Sequence, residues 1–342
     1  MKANRILKGA SFAALLVGLT AAAHADDKII VGVSNTLIGN GWREEMICSI
    51  KAEAEASGRV SKVIVANRNG GPSEQIADIR NLISAGAKAI IINPSDREAL
   101  NPVIKQAADK GIVVVAVDQA VSAPEAYVLT NDQVEYAKLG AKWLFDKLGG
   151  KGSVIEMRGI DGVPADADRH QGFNEVLKSY PDIKVTSIFT GWALNKTAEA
   201  TKNLLASGKP IDGVWTSGID STVVDAYQSA GKPFVPVVGA DNNGFIGQLI
   251  NLQDKGLTGA AVSNPPSVGG AGLGLALDVL AGKQHPHLIK ITPTIWNNID
   301  NMSELKKVYN PKLDPFYSVA VEVKPWTHYT MDQILACKGP QS

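Results

Sequence analysis

The sequence predicts an α/β fold of two doubly wound parallel-sheet lobes, joined by a three-strand hinge, with a ligand cleft between them. Two observations support this fold class. From residue 28 onward, short β-branched runs alternate with helical stretches, which is typical of βαβ units on a parallel sheet. The chain also has 342 residues, more than one ordinary core requires, so two domains are expected.

Nine apolar runs are predicted strands, because each is short and most are rich in Val and Ile. Between them lie stretches such as PSEQIADIRNLISAGA and DSTVVDAYQSAG, whose apolar residues fall three and four positions apart and therefore predict helices. In chain order the predicted strands are 30–33 at the centre of the first run, 62–67, 89–94, 112–118, 153–159, 183–189, 212–218, 234–241 and 257–264.

The alternation breaks at three places, which are the predicted crossings between the two sheets. The run YVLTND (127–132) follows Asp118 with no room for a helix between them. Pro265 and Pro266 end a strand within SNPPSVGG, and the third crossing is placed in IKITPTIW (289–296). The crossings divide the chain into an N-terminal lobe of residues 26–130 and 266–292 and a C-terminal lobe of residues 131–265 and 293–300.

Residues 301–342 are predicted to form an irregular tail that packs on the hinge or on the lobes. The tail contains a short predicted strand, YSVAVEV at 317–323, and a helix at its end. The two cysteines of the sequence are Cys48 and Cys337. They could form one disulfide in an oxidising compartment, or Cys48 could be a buried thiol beside the first helix.

Residues 1–25 have the pattern of a signal peptide, with a basic start, an apolar centre and an A-x-A cleavage site that ends at Ala25. The apolar centre, residues 9–23, is shorter than the ~20 residues of a comfortable membrane span. We therefore expect a soluble, exported protein that starts near Asp26. The alternative is an N-terminal anchor helix.

The charge of the chain is balanced, since Lys plus Arg and Asp plus Glu both number 34. No basic surface for nucleic acid or for an anionic membrane is therefore implied. Neither a complete G-x-G-x-x-G sequence nor a P-loop nor a G-x-S-x-G elbow occurs. His285 and His287 lack partner ligands and are interpreted as surface residues. No cofactor, metal or catalytic activity is predicted.

Polar and aromatic residues gather at the predicted strand ends, where open α/β sheets bind their ligands. Carboxylates, amides and guanidinium groups can pair with vicinal hydroxyls, and a tryptophan ring can cover the apolar face of a sugar. The sequence therefore predicts a site for a sugar or polyol. The candidates are Asn35, Asn93, Asp118, Gln119, Asp241 and Asn264 at strand ends, and Arg169, Trp192 and Asp220 in nearby loops.

Trp42 and Arg43 complete the candidate site, within SNTLIGNGWREEM at the start of the first predicted helix. The helix dipole disfavours a cation in that turn by about 0.3–1 kcal/mol, so Arg43 is expected to have a compensating acceptor. That acceptor is either a ligand oxygen or a glutamate. Trp42 is either a plane for the ligand or the first core residue of the helix.

The other candidates also have structural alternatives. Any single Asn or Asp after a strand can cap a helix or form a turn. Asp118 is the exception, because Gln119 and Ala120 follow it with no helical pattern to cap. Trp192 could belong to the core, and Arg169 could lie on a solvated helix face.

The chain resembles the periplasmic sugar-binding proteins of ABC importers, the ribose-binding class of type I periplasmic binding proteins. The resemblance covers residues 28 to about 295, with the matching pieces in family order. They include KIIVGVSNTLIGNGWREE, SEQIADIRNLISAGAKAIIINPSD, KGIVVVAVDQA, GVPADADRHQGF, VPVVGADNN and AAVSNPPSVGGAGLGLALDVLAGK. It implies a periplasmic monomer that binds a monosaccharide or polyol and delivers it to an inner-membrane ABC permease.

The resemblance also implies roles for single residues. Asp118 matches the aspartate that takes two sugar hydroxyls, and Arg169 matches the arginine that reaches a ring oxygen. Asp241 matches the aspartate of the V-G-x-D strand end. Trp42 occupies the place of a stacking aromatic, and the Gly-Trp-Arg sequence is similar to the branch that includes galactofuranose-binding proteins.

Three positions depart from the family pattern and leave the sugar undetermined. Asn264 stands where the family usually has Gln, and Gln119 stands where ribose binders often have Arg. The family's asparagine contact is either missing here or replaced by Asp220. A furanosyl signal molecule or a small acid remains an alternative ligand. A sensory subunit that presents sugar to a chemoreceptor or kinase remains an alternative function.

Overall fold

In the computed structural model of the protein, which describes residues 28–341, twelve strands form two six-stranded sheets. The predicted α/β class with two parallel-sheet lobes is therefore confirmed, whereas the predicted signal peptide lies outside the described residues. Strands β1 to β12 are Ile29–Asn35, Val60–Asn67, Ala89–Ile92, Val113–Val117, Tyr127–Asn131, Lys151–Arg158, Asp182–Phe189, Gly213–Trp215, Val237–Ala240, Gly259–Val262, Leu288–Ile291 and Ile295–Asn297.

The helices alternate with these strands and follow local signals in the sequence. Asn40 caps the first helix through its side chain, and Gly58 ends it in the left-handed conformation with φ 64°. Pro72 and Pro164 open the second and fifth helices. Helices α1 to α11 are Gly41–Ser57, Pro72–Ser84, Asn101–Ala108, Gln133–Lys147, Pro164–Leu177, Leu194–Ala206, Asp220–Ser229, Asn243–Asn251, Val268–Leu280, Met302–Val308 and Met331–Ala336.

Each sheet is covered by helices on both faces, as a doubly wound lobe requires. The first sheet has the order β11-β5-β4-β3-β1-β2, with all neighbours parallel. Helices α1 and α9 cover one face, and α2 and α3 cover the other. The second sheet has the order β12-β10-β9-β8-β6-β7, in which only β12 is antiparallel. Its faces are covered by α4 with α5 and by α7 with α8.

The chain passes between the two sheets directly after β5, between β10 and α9, and between β11 and β12. The run at 127–132 thus supplies an inner strand of the first sheet before the chain leaves it. These three passages bring the carboxyl ends of β1, β3, β4, β8 and β9 toward one cleft. No helix within residues 28–341 combines the length and apolar character needed to span a bilayer.

The tail differs from its prediction in one respect. The prediction of a strand at 317–323 is wrong, since the structure has an isolated bridge there, between Ser318 and Asn242. The Ser318 N–H donates to the Glu45 carboxylate instead of to a strand, so no ladder forms there. The expected final helix is present as α11. The structure contains the Cys48–Cys337 disulfide, with its Cα atoms 4.5 Å apart.

Candidate functional site

A cavity lies between the two lobes, at the carboxyl ends of strands from both sheets. The empty space there is about 440 Å³, which includes space open to solvent. Two guanidinium groups, one carboxylate and two indole rings face it. The lining residues are Asn40, Trp42, Arg43, Asp118, Ala165, Arg169, Trp192, Ser217, Gly218, Ala240 and Asn264.

Arg43 is held in the N-terminal lobe with little protein compensation for its charge. Its side chain is 4% exposed, and its Nη1 donates to Asn35 Oδ1 at 2.9 Å. Among residues 28–341 no carboxylate lies within ion-pair distance of it. Burial lowers the pKa of Arg43 to about 10; the Asp118 carboxylate opposes this shift and the Arg169 guanidinium adds to it. Its remaining N–H groups are therefore available to an acceptor in the cavity.

Asp118 follows β4 in the left-handed conformation, with φ 65°, which a non-glycine residue adopts only when its surroundings enforce it. The Gln133 amide donates to its Oδ1 at 2.8 Å and to its carbonyl at 3.0 Å. The Asn264 amide approaches the same Oδ1 at 3.4 Å. No donor from the described part of the chain reaches Oδ2, so this oxygen can accept from a ligand.

Arg169 approaches the cavity from α5 in the C-terminal lobe. Its Nε donates to Gln133 Oε1 at 2.8 Å, and its guanidinium carbon lies 4.5 Å from the centre of the Tyr136 ring. The Trp192 ring centre is 5.8 Å away. These contacts fix the plane of the guanidinium while leaving its terminal N–H groups without a carboxylate partner among residues 28–341. Gln133 therefore positions both Asp118 and Arg169.

The two tryptophans are fixed by their indole N–H groups. Trp42 Nε1 donates to the Asn264 carbonyl at 2.6 Å, and Trp192 Nε1 donates to Ser217 Oγ at 3.3 Å. Trp192 also has a positive φ of 53° and packs directly on Gly159, where an added Cβ would lie 2.1 Å from the ring. Both rings have a fixed orientation toward the cavity, which suits stacking on an apolar ligand face.

Five of the eleven predicted residues lie one layer behind the cavity wall. Asn35 holds Arg43, and Asn93 Oδ1 accepts from the Gln119 amide at 2.6 Å. Gln119 Oε1 in turn accepts from the Ala165 N–H across the cleft at 3.0 Å. The two others, Asp220 and Asp241, are fully buried carboxylates of the C-terminal lobe.

The buried carboxylates are bound by protein groups. Asp220 Oδ1 accepts from the N–H groups of Gly218 and Ala240. Asp241 accepts from the Asn264 N–H at 3.0 Å and from Ser318 Oγ at 2.8 Å. Burial raises the pKa of each aspartate to about 6, although these hydrogen bonds oppose the shift. Their observed role is to fix the β8–α7 loop and the second crossing.

Sequence reasoning missed part of the cavity wall and its principal support. Four lining residues were not predicted, because their backbone position, not their side-chain chemistry, brings them to the cavity. They are Asn40 and Gly218 in loops, Ala165 at the start of α5 and Ala240 at the end of β9. Gln133 was detectable in principle, because it is a polar residue at the first crossing. Its importance follows from contacts with residues distant in sequence.

Side-chain contacts join the two lobes beside the cavity. Arg97 of the N-terminal lobe pairs with Asp168 of α5, with Nη2 to Oδ1 at 2.6 Å. The hydrogen bond from the Ala165 N–H to Gln119 Oε1 also crosses the cleft. Within residues 28–341 no group of three or more His, Cys, Asp or Glu side chains could hold a metal ion. His285 lies against Asp278, and His287 contacts the Ala126 carbonyl.

Comparison with known proteins identifies relatives along most of the chain. A family model described as periplasmic binding protein domain matches residues 31–284. The ribose import binding protein RbsB of Bacillus subtilis (strain 168) is 27% identical over 74% of this chain and 82% of the relative. The galactofuranose-binding protein YtfQ of Escherichia coli (strain K12) is 27% identical over 71% of this chain and 79% of the relative.

A solved structure adds a match at the level of the fold. It is an ABC transporter solute binding protein from Thermobispora bispora DSM 43833, 31% identical to this chain, with a TM-score of 0.76. The alignment covers 85% of this chain and 90% of that chain. The resemblance inferred from the sequence is therefore confirmed.

Proposed function

This chain belongs to the periplasmic binding protein family, and from that premise we propose that it captures a monosaccharide or related polyol and delivers it to an ABC permease. Ribose and galactofuranose are named for two of the relatives, and both are monosaccharides. The ligand lies in the cavity between the lobes. Lobe closure retains it, because contacts from both lobes are available only in the closed form.

The pairing of hydrogen-bond donors and acceptors in the cavity is the observation that carries the proposal. Arg43 and Arg169 present donors only, whereas Oδ2 of Asp118 presents an acceptor. A vicinal diol can donate one hydrogen to the carboxylate while its oxygens accept from the guanidinium groups. A ligand without hydroxyls would leave these buried groups unpaired, at about 1–3 kcal/mol for each.

The indole rings supply the apolar part of the proposed site. Trp42 and Trp192 come from different lobes, and neither ring is free to rotate because its N–H is hydrogen-bonded. A sugar ring with one C–H face can stack on such a plane. Asn264, at the second crossing, would complete the site with an amide near Asp118.

We place the mature protein in the periplasm after cleavage near Ala25, because residues 1–25 have the pattern of a signal peptide and the matching family model is described as a periplasmic binding protein domain. It acts by binding and release, without catalysis or cofactor. Its partner is an inner-membrane ABC permease, and a chemoreceptor is a further candidate partner. We propose that the protein is a monomer.

Calorimetric titration of the chain from Asp26 with pentoses, hexoses, polyols and sugar acids tests the proposal. We expect one-to-one binding of at least one solute. Asp118→Asn should weaken this binding by roughly 10- to 100-fold, since a hydrogen bond to a charged group contributes about 1.5–3 kcal/mol. Asp109→Asn is the matched control, because Asp109 is an exposed residue paired with Lys105. Silence across the whole panel would overturn the proposal, and binding of sugar acids alone would redirect it to a small-acid ligand.

A further inference from the structure

The tail passes between the lobes a fourth time, in addition to the three hinge passages. Tyr309 and Val319 pack against the hydrophobic core of the C-terminal lobe that contains α7 and α8. Val321 packs with Cys48 and Ile334 on the N-terminal lobe, and Val323 belongs to the N-terminal core around α1 and α9. The chain therefore changes lobes within residues 319–321. We call residues 309–337 the strap.

The first half of the strap is fastened to the start of α8 in the C-terminal lobe. The Asn243 side-chain amide donates to the carbonyls of Asn310 at 2.8 Å and Leu313 at 3.0 Å. The Gly244 N–H donates to the Pro315 carbonyl at 2.8 Å. An added Cβ on Gly244 would lie 2.7 Å from Pro315, so the glycine allows the close approach.

Ser318 joins the two lobes at the point where the strap crosses. It is fully buried, and its N–H donates to Glu45 Oε2 of α1 in the N-terminal lobe at 2.8 Å. Its hydroxyl donates to Asp241 Oδ2 of the C-terminal lobe at 2.8 Å. The other oxygen of Asp241 accepts from the N–H of Asn264, which lines the cavity. One serine of the strap is thus two hydrogen bonds away from the cavity wall.

The second half of the strap is fastened to α1 and α9 of the N-terminal lobe. The His328 N–H and Nδ1 both lie 2.8 Å from the Glu53 carboxylate. The Trp326 carbonyl lies against Gly274, where a Cβ would approach it to 2.5 Å. The disulfide between Cys337 and Cys48 then closes the attachment covalently.

We propose that the strap limits how far the two lobes separate, and that Ser318 is the positioning residue through which it acts on the cavity. Separation would require either one of the two Ser318 hydrogen bonds to break or half of the strap to leave its lobe. The disulfide prevents the second half from leaving. The strap therefore keeps the ligand-free protein close to the binding-competent geometry, which raises the apparent affinity for the solute. The inference does not depend on which solute binds.

Small-angle X-ray scattering of the ligand-free protein tests this proposal without a ligand. The variants are Ser318→Ala, the pair Cys48→Ser with Cys337→Ser, and the combination of all three substitutions. The matched control is Ser84→Ala, an exposed serine whose hydroxyl bonds only within its own helix, to the Arg80 carbonyl. We expect the radius of gyration and the maximum dimension to be smallest in the control, larger in Ser318→Ala and in the double cysteine variant, and largest in the variant with all three substitutions.

Hydrogen exchange at the Ala165 N–H supplies a second readout, because this group donates across the cleft to Gln119. We expect its exchange to accelerate about fivefold or more when Ser318 loses its hydroxyl, the lower end of ordinary coupling between sites. A loss of packing confined to the strap would leave this C-terminal-lobe amide unchanged. Identical scattering curves and unchanged exchange at Ala165 in folded variants would overturn the proposal. If the variant with all three substitutions does not fold, scattering and Ala165 exchange in Ser318→Ala alone decide whether the proposal holds.

Discussion

In addition to the three hinge passages, the lobes contact each other in two ways, across the cleft and along the strap. Across the cleft, Arg97 pairs with Asp168 at the surface, and Gln119 accepts one backbone hydrogen bond from Ala165. Along the strap, buried hydrogen bonds, close packing on glycines and a disulfide act together. The cleft contacts can therefore break and re-form at low cost, whereas the strap stays attached while the lobes move.

Removing the disulfide should have the largest effect, and it tests the strap side alone. Cys48 and Cys337 are 289 residues apart in sequence, so the bond constrains most of the unfolded chain. We expect Cys48→Ser with Cys337→Ser to lower the free energy of unfolding by about 2–5 kcal/mol. Urea denaturation under oxidising conditions measures this loss.

Reduction of the wild-type protein should reproduce that loss, while the same reductant should leave the double serine variant unchanged. If the variant were as stable as the wild-type protein, noncovalent packing alone would attach the end of the strap. The strap would then differ from the cleft contacts only in its hydrogen bonds and packing, and not in a covalent bond.

The carboxyl group that connects the strap to the cavity should give the protein a distinct pH dependence. Burial raises the pKa of Asp241 to about 6 from an ordinary 3.8. The folded state therefore disfavours the ionised form, so this residue lowers stability progressively as pH rises from about 4 to about 6. Each unit of pKa corresponds to 1.36 kcal/mol, which gives roughly 3 kcal/mol in total.

The neutral variant Asp241→Asn removes this penalty while preserving the shape of the side chain. Its unfolding free energy relative to wild type should rise by up to about 3 kcal/mol between pH 4 and pH 7. Denaturant titration at several pH values measures the difference. Asp225→Asn is a partial control, because the pKa of Asp225 is also raised by burial but its partner is Gln248, outside the strap and the cavity. A difference that is constant with pH would mean that folding does not raise the pKa of Asp241.

The walls of the cavity are more rigid than the contacts across its mouth, and Gly159 tests this. A methyl group there would lie 2.1 Å from the Trp192 ring, which must then move. We expect Gly159→Ala to destabilise the protein by about 1–3 kcal/mol. Urea denaturation measures the loss, and tryptophan fluorescence reports the shift of the ring.

Gly71→Ala is the matched control, because an added Cβ there meets only Glu74 Oε2 at 3.7 Å, an ordinary contact. Equal stability of the two variants would indicate that the Trp192 ring can move without cost. The indole could then not serve as a fixed stacking plane.

The sequence was sufficient for the fold class and for the polar character of the site, because these depend on local patterns. Alternating runs predicted both sheets, and the strand ends identified Asp118 and Asn264, which the structure brings to one cavity. The bends at residues 265 and 289–296 indicated where the chain leaves a sheet. Such signals depend on a few neighbouring residues.

The sequence could not predict which candidate residues line the cavity and which lie behind its wall, because this depends on contacts between residues that are distant in sequence. Asp241 follows a predicted strand as Asp118 does, and Asp220 lies in a predicted loop nearby. Both carboxylates are nevertheless turned into the protein by backbone N–H groups. The path of the tail could not be predicted from the sequence either. YSVAVEV has the alternation of a strand, but Ser318 is held by carboxylates that no local pattern connects to it.

The smallest expected effect concerns the ion pair at the mouth of the cleft. Arg97 and Asp168 have side chains 39% and 28% exposed, so replacing Arg97 by Met should change the free energy of unfolding by less than about 1 kcal/mol. The pair forms only while the lobes are together, however. Its loss should therefore accelerate dissociation of the bound solute by up to about fivefold, measured by stopped-flow fluorescence.

Lys105→Met is the matched control, because Lys105 and Asp109 form an exposed ion pair within one helix and one lobe. It should leave dissociation unchanged. In 1 M salt, where the screening length falls to about 3 Å, the difference between Arg97→Met and wild type should disappear. A dissociation rate that is insensitive to both the substitution and salt would mean that the ion pair plays no part in holding the cleft closed. Retention of the solute would then depend on contacts in the cavity and on the strap. Of the two kinds of contact between the lobes, the strap alone would hold them together.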